Sequence, residues 1–153
     1  MSTKPAIVLV TGSFALPEFY DDTTASLRKR GYEVSDPQLL TSGKKPGPPP
    51  TMHDDAAMIA KEVEKLADEG KDVLVVAHSY GGMPASQCTK GITKQEREKE
   101  GKKGGIVRLA YLTCLVSDIG GTAAETLKGV VDEPYIEPDQ VCLPSFPISP
   151  LLR

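Results

Sequence analysis

One serine in this chain, Ser79, sits where residue types and spacing point to covalent chemistry. It is the centre of Ala77-x-Ser79-x-Gly81, the G-x-S-x-G spacing of a nucleophile elbow with alanine in the first small position. The spacing has a steric reason. Lifting a serine hydroxyl above the end of a strand requires a tight, strained turn before the next helix, and small residues two positions to either side let strand and helix approach. A hydroxyl presented this way can attack an acyl carbon, and the N–H of the next residue, Tyr80, points where the oxyanion forms. The context fits: Val73-Leu74-Val75-Val76-Ala77 reads as a strand buried on both faces, and a helix should begin near Gly82.

A serine hydroxyl is a poor nucleophile without a base, and the base needs an orienting acid. The two histidines are His53 and His78, and none follows Ser79. His78 fills the variable slot of the elbow, where its ring is expected to pack around the turn rather than take the serine proton. His53 precedes a predicted helix and reads as a surface or helix-start residue, with a role as an unusual base as the alternative. Asp132, Glu133, Glu137 and Asp139 are acids, but none ends a convincing strand and none is assigned a catalytic role. Cys88, Cys114 and Cys142 are an odd number without metal-like spacing or a neighbouring histidine. They suit a reducing, cytoplasmic setting better than a disulfide framework.

The elements that must position Ser79 alternate strand and helix. Ala6 to Val10 is a buried strand ended by Thr11-Gly12-Ser13, and a helix is expected from about Glu18 to Arg30, stopped by Gly31. Tyr32 to Ser35 is a short strand near an edge, followed by a Pro-rich loop from Asp36 to His53. From Asp54 to Glu69, Ala56, Ile59, Val63 and Leu66 recur at helical spacing. Lys94 to Lys103 reads as a solvated helix end or loop, and Ile106 to Thr113 as a fourth strand. Strands separated by helices imply a parallel sheet with ligands at the carboxyl ends of the strands.

These pieces resemble the α/β-hydrolase fold family. The matching stretches are IVLVTGSF, the D-D-x-x-x-I helix, VLVVAHSYGG, and VRLAYLTCLV with IGGT after it, covering about residues 5 to 122 in order. The resemblance is to the N-terminal half of the esterase and hydroxynitrile-lyase-like branch. It implies a three-layer α/β fold, a parallel sheet with flanking helices, in shortened form. It also implies that the residue after the glycine in the first strand's turn supplies a second oxyanion N–H, a role that falls on Ser13, with Thr11 in place of the usual histidine. Residues 1–122 are then the N-terminal part of such a domain, and 123–153 a Pro-rich, weakly structured tail with a short helix over Ala123 to Val131.

The function implied is a serine-hydrolase-like, esterase-type activity on small ester or acyl substrates, weakened because the partner acid and histidine are missing. A non-catalytic pseudoenzyme that binds a small molecule or a partner is the alternative. A nucleotide-binding module is disfavoured, since neither G-x-G-x-x-G nor a P-loop appears. No cofactor and no metal are expected. A net charge of -3 gives no electrostatic case for nucleic acid, and five apolar residues near the N-terminus are too few for a membrane span. The strand at 106–113 has no following strand to pair with, which makes association of a second copy through it the expected self-contact.

Overall fold

Five consecutive apolar residues at Ala6–Val10 offer water no polar face, and all five are buried in strand β1. The structure is a computed structural model that describes residues 4–43, 46–118 and 121–128. After β1 come a 3-10 turn at Pro17–Tyr20, helix α1 at Asp21–Lys29 and the two-residue strand β2 at Val34–Ser35. Helix α2 spans Met52–Asp68, β3 Asp72–His78, α3 Gly82–Gln87, α4 Lys94–Lys99, β4 Gly105–Leu112 and α5 Ala123–Leu127. The four strands lie in the order β2-β1-β3-β4 and every pairing is parallel. Helices flank the sheet as the alternation requires, because parallel neighbours can be joined only by crossovers.

The main core lies between α2, α3 and one face of the sheet. Ala6, Val8 and Val10 of β1 and Val73, Val75 and Ala77 of β3 meet Ala56, Ile59, Val63 and Leu66, the apolar stripe read from the sequence. Helix α2 begins earlier than Asp54. The Thr51 hydroxyl accepts from the Asp54 N–H, and the Asp54 carboxylate accepts from the Thr51 N–H at 2.7 Å. This reciprocal cap satisfies two otherwise orphaned donors, so Asp54 is the third residue of the first turn rather than the cap.

Several expectations need correction. Strand β3 is not buried on both faces: Val73, Val75 and Ala77 are buried, but Leu74 and Val76 are only half-buried. The second strand is confined to Val34–Ser35 at the sheet's edge. The charged run is not merely solvated. Thr93 caps α4, and Arg97 is buried, donating to Asp68 at 2.7 Å and to the carbonyls of Gly104 and Lys103 at 3.2 and 3.3 Å. Those carbonyls belong to the tight turn into β4, where Gly104 and Gly105 have φ of 69° and 137°. A guanidinium with several N–H groups is suited to such a turn, whose carbonyls have no ladder partner. Helix α5 ends at Leu127, and the rest of the helix expected to run to Val131 lies outside the described residues, as do the prolines and acids that follow.

Among the described residues β4 is an edge strand. Val107, Tyr111 and Leu112 are exposed, whereas Leu109 is half-buried against the core. No described helix is long and apolar enough to cross a membrane.

Candidate active site

The elbow is assembled by backbone crowding. His78 is still extended at φ −120°, Ser79 swings to φ 53°, and one 3-10 turn over Ser79–Gly81 leads directly into α3. A left-handed conformation in a non-glycine residue costs roughly 1–2 kcal/mol, so something must hold it. Gly81 and Gly82 show what does. A Cβ built on Gly81 would lie 2.5 Å from the Thr11 carbonyl oxygen, and one on Gly82 would lie 2.6 Å from both Cys114 Cβ and the Leu115 carbonyl oxygen. The turn is thus wedged between the end of β1 and the exit of β4. The Leu115 N–H also donates to the Ser79 carbonyl at 3.0 Å.

The turn after β1 leans on the same point. A Cβ on Gly12 would lie 3.2 Å from Ser79 Cβ and 3.2 Å from His78 Nδ1. Ser13 follows, exposed, and Phe14 takes φ 60°. The structure therefore brings Gly12 beside His78 and Ser79, from elements far apart in the chain. The Gly12 N–H is already engaged, donating to the Tyr20 hydroxyl at 3.2 Å. The Tyr20 oxygen lies 2.7 Å from His78 Nδ1, so His78 packs on the turn as expected.

Tyr80 is anchored on its other side. Its hydroxyl donates to Asp55 Oδ2 at 3.1 Å, and Asp55 also accepts from the Thr41 N–H and hydroxyl at 3.1 and 2.7 Å. Asp55 is fully buried, and the three donors compensate a carboxylate removed from water. Burial, reinforced by the Asp55 charge, pushes the Tyr80 phenol up to about 12. In sequence, Asp55 is only one of two adjacent acids in the first turn of α2. Its link to Tyr80 spans residues with no local pattern, and the only available hint was a second Asp beside Asp54.

A cavity of about 570 Å³ opens next to the elbow, lined by Met52, His53, Tyr80, Met83, Ser117 and Thr122 among others. His53 is exposed in the first turn of α2. Among the described residues, no hydrogen bond joins the Ser79 hydroxyl to a histidine or a carboxylate, and no cluster of three or more His, Cys, Asp or Glu is placed to hold a metal ion. The arrangement offers a strained serine, a second turn packed against it at Gly12, and an adjoining cleft.

A parallel sheet with a left-handed serine at the carboxyl end of an interior strand, leading straight into a helix, is an architecture of the α/β class. The chain belongs to the alpha/beta hydrolase family, whose model matches residues 7–150. That range runs past Thr122, where the motif resemblance stops. A probable hydrolase of a Phoma species, R7, is 37% identical over 128 residues, 83% of this chain and 49% of its own length. The alpha/beta hydrolase nvfD of Aspergillus novofumigatus is 34% identical over 84% of this chain and 49% of its own length. The chain thus spans about half the length of these relatives. Among solved structures, tomato methylketone synthase I bound to 2-tridecanone has a TM-score of 0.61 at 19% identity, covering 90% of this chain and 54% of its own. An extracellular alpha/beta-hydrolase from a Paenibacillus species gives 0.55 at 19%, covering 82% and 49%. At these identities the likeness shows the fold.

Proposed function

We propose that Ser79 is the nucleophile of a serine-hydrolase site, esterase-type, acting on small ester or acyl substrates. The Ser79 oxygen attacks the acyl carbon. The charge gathering on the carbonyl oxygen is received by the N–H groups of Ser13 and Tyr80, which is where preorganised donors contribute most. The observation that supports this reading best is Ser79 held at φ 53° with Gly12 pressed against it. Backbone strain of that kind clusters at functional turns. The hydrolase relatives support the same class. Supplying the base is the step this sequence does not provide, since no histidine follows Ser79.

The test is turnover of p-nitrophenyl acetate by the chain, with Ser79→Ala beside it. Turnover barely above background is expected. In triad enzymes that lose a triad member, about 10³–10⁴-fold catalysis over water remains, far below the intact enzyme. Vigorous turnover abolished by Ser79→Ala would instead make His53 the base.

A further inference from the structure

Tyr20 is neither the nucleophile nor a proposed oxyanion donor, yet it touches both turns of the site. It ends the 3-10 turn that leads into α1. Its oxygen accepts from the Gly12 N–H at 3.2 Å and lies 2.7 Å from His78 Nδ1, and the two rings meet edge-on with centroids 5.9 Å apart. Gly12 immediately precedes Ser13, and His78 immediately precedes Ser79. One hydroxyl therefore bridges the residue before the proposed donor and the residue before the proposed nucleophile.

We propose that Tyr20 is a positioning residue for the oxyanion site, a reading that rests on the roles of Ser79 and Ser13 given above. Glycine is the residue least able to hold its own backbone in one conformation, and Gly12 flanks the donor. Both of its peptide planes are pinned from outside. Its N–H is taken by Tyr20, and its carbonyl accepts from the Ala15 N–H at 3.3 Å. In a trans peptide the N–H points opposite to the preceding C=O, so fixing the Gly12 carbonyl fixes the direction of the Ser13 N–H. With its own N–H engaged, Gly12 leaves the donor role to Ser13, as proposed above. The Tyr20 oxygen can accept from Gly12 and also share a proton with His78 Nδ1, since a phenol oxygen has one donor and two acceptor sites. Tyr20 thereby ties the first turn to the elbow and keeps the donor's spacing from the nucleophile constant.

The test uses the ¹⁵N-labelled full chain. Tyr20→Phe keeps the ring and removes the bridge, and it should speed hydrogen exchange at the Gly12 amide by about tenfold, the range of one lost hydrogen bond. His78→Leu should do the same. His78→Asn carries a polar atom two bonds from Cβ, where Nδ1 sits, and should stay within about twofold of the unaltered chain, an outcome that mere packing does not predict. The second arm is phenylboronic acid, whose boron takes the serine oxygen and whose hydroxyl occupies the oxyanion position. Tyr20→Phe should weaken its binding roughly 3–10-fold, and Ser79→Ala should abolish it. Unchanged Gly12 exchange in both Tyr20→Phe and His78→Leu would overturn the tether. Faster exchange with unchanged boronate binding would overturn its positioning role. Absence of an adduct with the unaltered chain would refute the nucleophile reading instead, and the exchange rates would then decide the tether by themselves.

Discussion

Replacing Gly81 with alanine isolates the contact that makes the elbow possible. Gly81 has φ −54° and ψ −19°, which any residue adopts, so the substitution carries no conformational strain. Its whole cost is steric. The new Cβ would meet the carbonyl oxygens of Thr11 at 2.5 Å and Val10 at 2.8 Å, and Val10 Cγ1 at 3.0 Å. Ordinary contacts start near 3.5 Å, so two main-chain oxygens must retreat by roughly 0.7–1 Å. They close strand β1, whose pairing with β3 through Val10 and Ala77 leaves no slack. Overpacking by a methyl typically costs about 1–3 kcal/mol where side chains can yield, and here backbone must yield, which places Gly81→Ala near ~3 kcal/mol. For a domain of this size that lowers Tm by roughly 6–12 °C. Gly81→Val adds two γ carbons to the same clash and should leave little folded protein, given total stabilities of about 5–15 kcal/mol. Gly91→Ala is the control: no atom lies within 4 Å of its Cβ, but φ is +80°, so it should lose only ~1 kcal/mol to backbone strain. Urea unfolding monitored by circular dichroism measures all three. A Gly81→Ala protein no less stable than Gly91→Ala would refute the wedge.

Alkaline pH should destabilise the fold. Burial pushes the Cys88 thiol up to about 12, and burial with the Asp55 charge does the same to the Tyr80 phenol. Both groups lose their protons more readily when unfolded, near pH ~8.5 and ~10, so their contribution is complete below about pH 8.5 and is lost as pH rises toward 12. A urea midpoint as high at pH 10.5 as at pH 7.5 would contradict this. The edge of β4, with Val107, Tyr111 and Leu112 exposed and Arg108 its one charge, should drive association of copies. In sedimentation, Val107→Lys with Leu112→Lys should shift the chain toward monomer. A clean monomer of the unaltered chain melting cooperatively above about 50 °C would overturn that expectation.

What could be read in advance was whatever leaves a local trace. The runs Ala6–Val10 and Val73–Ala77, the stripe Ala56-Ile59-Val63-Leu66 and the small residues around Ser79 each carry a period or a spacing that packing then honours. Half-burial of Leu74 and Val76 depends on how fully the second face of the sheet is covered, a property of the assembled layers rather than of the strand. Arg97 looked like one more charge in a polar run because its partners, the carbonyls of Lys103 and Gly104, become acceptors only once the turn into β4 has formed. The Tyr20–His78 and Tyr80–Asp55 bonds join side chains from different elements far apart in the chain, and no spacing rule encodes them.

The strand order also sets a schedule for synthesis. Ala6 pairs with Val73 and Val10 with Ala77, so β1 has no interior neighbour until β3, far along the chain, has been made. At roughly 5–20 residues per second, its five apolar residues wait on the order of several seconds for β3 to emerge. The two-residue contact with β2, through Ile7 and Val8, is too small to shelter them meanwhile. For that interval the exposed apolar strand is the kind of surface that favours aggregation. The elbow that later places Ser79 is also the last turn of the segment that ends the wait.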